Sequence, residues 1–158
     1  MIGVLEYSPR YTNGKNPFED FLMNIKKLLK PNGKLLIAIE NRFGLKYWCG
    51  AMEDHIGKAF VGIRNYENTE NVKTFGKNKI TTILNNSGFV NTNFYYPLPD
   101  YKFPEIILSD NYSQKNVYYH PYYLNNPCIL FDEKKLAIEI ANEKMLPFFA
   151  NSFFIESS

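Results

Sequence analysis

Histidine stands beside carboxylates at one place in this chain, Glu53-Asp54-His55. A neighbouring carboxylate can orient an imidazole for proton transfer. Residues adjacent in sequence need not face one another, so a capping role in a turn is the competing reading. A second polar group, Glu40-Asn41-Arg42, follows directly on the apolar run Lys34 to Ile39, KLLIAI. There Glu40 can serve as a general base towards a hydroxyl, because burial raises a carboxyl pKa towards working pH. Arg42 can hold a phosphate or carboxylate on a substrate. For the triplet, the competing reading is a salt bridge or a helix cap. Tyr47 and Trp48 offer aromatic faces to a sugar or an adenine, although aromatics at helical spacing more often fill a core. His120 sits among tyrosines and prolines and reads as structural. Cys49, Cys128, His55 and His120 are scattered, with no CxxC or HxxxH pair, so no metal site is expected. The two cysteines are expected to be reduced thiols.

Secondary structure must position these groups. Met1 to Tyr7 is a short apolar run bounded by Ser8-Pro9 and reads as a buried strand. The strongest helix signal follows it. Asn16 is a good N-cap and Pro17 suits the first helical position. Glu19 and Asp20 occupy the first turn and Lys26, Lys27 and Lys30 the end, as the helix dipole prefers. Phe18, Phe21, Leu22, Ile25, Leu28 and Leu29 mark one apolar face, and Pro31-Asn32-Gly33 forms the stop. Lys34 to Ile39 lacks alternation, which suggests a strand covered on both faces. Helix, turn and buried strand are the second part of a right-handed crossover, so the two strands are expected to be parallel. Their carboxyl ends, Glu6-Tyr7 and Glu40-Asn41, then lie side by side where open α/β sheets bind ligands.

Residues 41 to 71 form a connection long enough to be functional. Thr74 is the expected cap of a second helix that carries Ile80, Ile83 and Leu84 inward and ends at Gly88. Phe89 to Tyr96 and Glu105 to Ser109 read as two strands joined by the proline-rich turn Pro97 to Pro104, hence an antiparallel pair. Beyond Asp110, Tyr112, Tyr118, Tyr119, Tyr122 and Tyr123 crowd an aromatic stretch. Asp132 is the expected cap of a last helix with Leu136, Ala137, Ile140 and Ala141 on one face. Ser152 to Ile155 is a possible closing strand.

Composition narrows the classes. The chain has 158 residues, 45% of them hydrophobic, enough to bury roughly 70% of its unfolded surface in a real core. Charged residues are 22% and the net charge is +2, with no basic run to meet nucleic acid. No stretch approaches the ~18 apolar residues of a membrane-spanning helix. Met1 to Tyr7 lacks the basic flank and length of a secretory leader. A cytoplasmic location is expected.

The order strand, helix, "KPNGKLLIAIEN", a helix ending in "NNSGF" and two antiparallel strands resembles the second half of a class I S-adenosylmethionine-dependent methyltransferase. A more specific stretch runs from Glu40 to Trp48, followed by Gly50-Ala-Met-Glu-Asp-His55 and Gly57. With "NFYYPLPDYKFPEIILSD", it resembles a subgroup of methyltransferase domains found with bacterial glycosyltransferases and surface-polysaccharide genes. The resemblance covers about Met1 to Asp110, and "FANSFFIE" is similar to the closing strand of the same proteins.

The resemblance implies an α/β fold of the partial Rossmann-like methyltransferase kind. Parallel strands, entered at about the fourth of seven, end in an antiparallel pair, with helices on both faces. It divides the chain into residues 1–110 and an aromatic-rich extension, 111–158. It implies methylation of a small molecule or saccharide-linked acceptor. Glu6, Tyr7 and Ser8 would then lie beside the cofactor S-adenosylmethionine. Glu40, Asn41, Arg42 and His55 would be the catalytic group, and Tyr47, Trp48, Glu53 and Asp54 would line the acceptor. The family's glycine-rich turn is not in this sequence, and Gly3 is no substitute. The chain therefore reads as a truncated or split form whose unaided cofactor binding is in question. The alternative is a non-catalytic module for a glycosyltransferase or a missing amino-terminal half. An open apolar edge on the first strand would also invite self-association.

Overall fold

The computed structural model describes residues 1–67, 72–111, 117–124 and 127–158. Tyr112 and the end of the 41–71 connection lie outside them.

Helix α1, Pro17–Leu28, starts where Asn16 and Pro17 place it, although the Asn16 side chain caps no backbone group. Leu22 is fully buried, with Phe18, Phe21 and Ile25 packed beside the core. Asn32 takes a left-handed φ of 62° in the stop turn, a conformation asparagine tolerates well. Strand β1, Leu35–Glu40, then runs through the core. A short helix, α2, spans Leu45–Trp48. Helix α3, Lys77–Asn86, buries Ile80, Ile83 and Leu84, and Gly88, with φ of 84°, ends it. Its N-cap is Gly76, not Thr74. The Thr74 hydroxyl is committed elsewhere, 2.6 Å from the Tyr66 hydroxyl.

Strands β2, Thr92–Leu98, and β3, Ile106–Ser109, form the expected antiparallel pair, with Tyr95 opposite Ser109 and Leu98 opposite Ile106. Strand β2 runs on through Pro97, further than the turn chemistry suggested. Asp132 caps α4, Glu133–Asn142, by accepting from the Lys134 and Lys135 amides. A short α5, Leu146–Phe149, precedes β4, Ser152–Ser157.

The sheet corrects the expected fold class. Its order is β1-β4-β2-β3, and every neighbouring pair is antiparallel. It is a mixed α/β arrangement with few helices, not a parallel Rossmann-like sheet. The reason lies in β4. It pairs with β1 along six residues, from Leu35–Ser157 to Glu40–Ser152, and with β2 on its other side. Its apolar residues serve the core, with Phe153 and Ile155 fully buried and Phe153 edge-on to Phe94.

The first apolar run is not a strand. It contributes one parallel bridge, Ile2 to Ala38, with the Gly3 amide donating to the Ala38 carbonyl at 3.0 Å. Gly3 then turns the backbone with φ of 58°. Leu5–Arg10 winds into a 3-10 helix, in which the Ser8 hydroxyl donates to the Leu5 carbonyl at 2.6 Å. Serine and proline favour such local bonding over a ladder. The helices gather in two groups, α1 with this turn and α3, and α4 with α2 and α5. Cys49 is buried and Cys128 exposed, both free thiols.

Two asparagines tie the sheet to its connections. The Asn41 amide group donates to the carbonyls of Phe148 and Ala150, both at 2.7 Å, and its oxygen accepts from the Phe43 amide. Asn151 donates to the Pro99 carbonyl and to Glu133, and accepts from the Lys46 amide. Buried backbone groups stripped of a partner cost about 1–3 kcal/mol each. Asn41→Ala should therefore lower the unfolding free energy by about 2–4 kcal/mol in urea titration, with the m-value unchanged. A loss under 1 kcal/mol would show that water replaces the side chain.

Candidate functional site

Alternation along β1 places Leu36, Ala38 and Glu40 on one face. Leu36 is 44% exposed, yet Glu40 at the far end is 1% exposed. Two loops cover it. One, closed by a bridge between Met52 and Ala59, presents Glu53, Asp54 and His55. The other follows β2 and presents Asp100, Tyr101 and Lys102. The 3-10 turn adds Glu6 and Tyr7. A cleft of about 450 Å³ is lined by Gly3, Glu6, Tyr7, Glu40, Asp54, His55, Tyr101 and Lys102, among others.

His55 lies at the centre of this group. Its Nδ1 is 3.0 Å from Glu53 Oε1, and its Nε2 is 3.4 Å from Glu6 Oε1 and 3.9 Å from Glu40 Oε2. The Tyr7 ring meets it edge-on, centroids 5.5 Å apart. Glu53 is itself held by the His55 and Ile56 amides, at 2.8 and 2.7 Å, and by the Tyr66 hydroxyl at 2.9 Å. Adjacent in sequence, Glu53 and His55 thus both cap a turn and face one another. Lys102 pairs with Glu40 Oε1, which also accepts from the Tyr101 hydroxyl at 3.2 Å. Lys46 is buried between Asp54, at 2.8 Å, and Asp100, at 2.9 Å.

Opposing forces set the protonation states. Burial disfavours charge on His55, but Glu53, Glu6 and Glu40 outweigh it and raise its pKa to about 10. Burial raises Glu40, and the attraction of Lys102 and His55 does not cancel the rise. Burial pushes Glu53 up as well, yet its bonds to His55 and two amides hold it below the usual carboxylate range. Asp54 is likewise held down against burial, chiefly by Lys46. The result is an acid–base cleft with an imidazolium held among carboxylates.

The structure brings together Glu6, Tyr7, Glu40, Glu53, Asp54 and His55 of the residues the sequence singled out. Ser8 bonds within its own turn, and Asn41 is consumed by the α5–β4 connection. Arg42 turns away from the acidic cleft. It bonds Asn65 and lies over the Phe43 ring, beside a second cavity of about 460 Å³ lined by Gly76, Lys77 and Phe148. Tyr47 is buried, Trp48 packs edge-on to Phe149, and neither lines the acidic cleft. His120 pairs with Glu105 at an exposed site. Sequence reasoning missed Lys46, Tyr66, Asp100, Tyr101 and Lys102. The one signal for them was the polar triplet Asp100-Tyr101-Lys102 within the proline-rich turn.

Among the described residues, no helix is long and apolar enough to cross a membrane. Comparison with family models, curated proteins and solved structures returns no match for this chain.

The His55 shift fixes a pH dependence. Its folded pKa of about 10 exceeds the ordinary value of 6.5, so folding favours the protonated form. The stabilisation from that charge is complete below about pH 6.5 and is lost as pH rises through about 10. The stability advantage of wild type over His55→Gln should shrink across that window in urea titrations. A difference that is flat with pH would mean that His55 is neutral in the folded protein.

Proposed function

We propose that this chain takes part in S-adenosylmethionine-dependent methyl transfer to a hydroxyl or amine of a small molecule or saccharide-linked acceptor. The observation that carries the reading is the convergence of Glu6, Glu40 and His55 on one cleft. Glu6 and Glu40 each keep one buried oxygen without a hydrogen-bond partner among the described residues. The sequence resemblance supplies the reaction class, and the cleft supplies chemistry suited to it.

The donor set fits the charged end of the cofactor. Carboxylate oxygens and the rings of Tyr7 and Tyr101 suit a sulfonium cation. When bound, S-adenosylmethionine would supply an electrophilic methyl group. This chain's part is to orient and deprotonate. Glu40, made more basic by burial, takes the acceptor proton on its unpartnered Oε2. Lys102 and Tyr101 hold the other oxygen and fix the carboxylate's angle. His55 stays positioned by Glu53 and Tyr66. The reading places the protein in a bacterial cytoplasm, beside surface-polysaccharide synthesis.

Calorimetry with S-adenosylmethionine on the full chain tests this. One-to-one binding, weakened at least tenfold by Glu6→Gln or Glu40→Gln, is the expected result. A well-folded sample that gives no heat removes the chain as a cofactor-binding enzyme and leaves the interaction-module reading.

That second reading has an observation of its own. Among the described residues the outer edge of β1 is covered only by Met1 to Gly3, which bond the Leu36 carbonyl and both backbone groups of Ala38, and the side chains of Ile2 and Leu36 are 69% and 44% exposed there. Such an edge pairs readily with another strand. Sedimentation velocity should show concentration-dependent dimers, reduced by Leu36→Lys. A monodisperse monomer at 100-fold varied concentration excludes self-association through this edge.

A further inference from the structure

We propose that Glu6, Glu40 and His55 form a binding site for a divalent transition-metal ion. One ligand atom from each can be chosen so that all three lie within 4.8 Å of one another. Bonds of about 2.0–2.2 Å to a common ion set neighbouring ligand atoms roughly 3–3.6 Å apart. The distances from His55 Nε2, 3.4 Å to Glu6 and 3.9 Å to Glu40, are already near that range.

Proximity of acidic groups alone proves little, and three further observations point to a cation. The first is the pair of buried oxygens without a hydrogen-bond partner among the described residues, Glu6 Oε2 and Glu40 Oε2, on side chains each 1% exposed. Burying a carboxylate oxygen without a donor is costly, and an ion supplies what is lacking. The second is the orientation of His55. Its Nδ1 faces Glu53, which is fixed in turn by two amides and Tyr66. A carboxylate behind the ring, aiming the opposite nitrogen at the site, is the outer support that metal-binding histidines use. The third is charge. Glu6, Glu40, Glu53, Asp54 and Asp100 meet two ammonium groups, Lys46 and Lys102, in one connected network. Even with a protonated His55, two negative charges are in excess among the described residues, and an ion bound at Nε2 would displace the proton there to solvent.

The ligand types select the ion. Two carboxylates favour Mn²⁺ and an imidazole favours Zn²⁺ or Fe²⁺ over Mg²⁺ or Ca²⁺, so the mixed set suits the Mn²⁺–Zn²⁺ group. Three protein ligands leave positions open towards the cleft, where a substrate oxygen can bind. Lys102 occupies Glu40 Oε1 and leaves Oε2 for the ion. The inference does not rest on methyl transfer, and an ion on Glu40 Oε2 and a proton taken there exclude one another, so the two readings give that oxygen alternative occupants.

Mn²⁺ titration of the full chain, followed by electron paramagnetic resonance without S-adenosylmethionine, is the test. The expected result is saturable one-to-one uptake, a pulsed-resonance coupling to one imidazole nitrogen, and displacement by Zn²⁺. His55→Gln should abolish the nitrogen coupling, and Glu6→Gln should weaken uptake at least tenfold. His120→Asn, at the exposed Glu105 pair, should change neither. Near-UV circular dichroism checks that each variant is folded, and the wild-type coupling stands even where a variant is not. Absence of saturable uptake, or of nitrogen coupling in wild type, overturns the site. So does coupling that survives in folded His55→Gln or vanishes in folded His120→Asn.

Discussion

Strand β4 is hydrogen-bonded on both sides at once, and the rest of the sheet depends on it. Strands β1 and β2 run in the same direction, one on each side of it. Each is antiparallel to the strand between them. Without β4, the amides and carbonyls of one edge of each would face the apolar core unpaired, at a cost comparable to a lost hydrogen bond apiece. The same strand carries Phe153 and Ile155 into the centre. Its first residue, Ser152, stands opposite Glu40, and the Ser152 hydroxyl accepts from the Tyr101 amide at 2.9 Å. The strand that closes the core thereby also sets the floor of the cleft and anchors the loop above it.

On that floor, electrostatics does what packing cannot. Lys46, buried between Asp54 and Asp100, stitches α2 to the loops beside Glu40. Removing one member of such a buried pair strands the other charge, which costs more than the pair contributes. The network therefore holds its members in one arrangement more than it adds stability. The proposed proton transfer or ion binding would need that rigidity, because misplacement of a reacting group by an ångström is costly.

Sequence reading succeeded where the cause was local. The face of α1 apart from Leu28, which ends the helix 80% exposed, the glycine stop of α3 and the Asp132 cap are each decided within a few residues. Glu40 was legible as a buried polar group of the candidate cleft because a carboxylate straight after KLLIAI has nowhere to go but an end of the core. The pairing partner of β1 was not legible. An apolar run announces burial without saying against what, and both Met1 to Tyr7 and Ser152 to Ile155 qualified. Gly3, Ser8 and Pro9 decided the outcome by turning the first run aside. Lys46 and Lys102 were invisible for a related reason. Lysine usually marks a solvated surface, and only tertiary structure delivers the carboxylates that bury Lys46 and pair the more exposed Lys102.

The place of β4 in the chain has a consequence for synthesis. Lys34 and Glu156 meet across the β1–β4 pair, 122 positions apart in sequence. A ribosome adding about 5–20 residues per second takes roughly 6–25 seconds to cover that distance. For that interval β1 has left the exit tunnel, or is leaving it, with the partner for its full length not yet made. Nascent chains of this kind display an unpaired apolar strand to their surroundings, the form that chaperones recognise and that aggregates when they are scarce. Yield from the cell should thus be governed by translation speed and chaperone supply, separately from the stability of the finished fold.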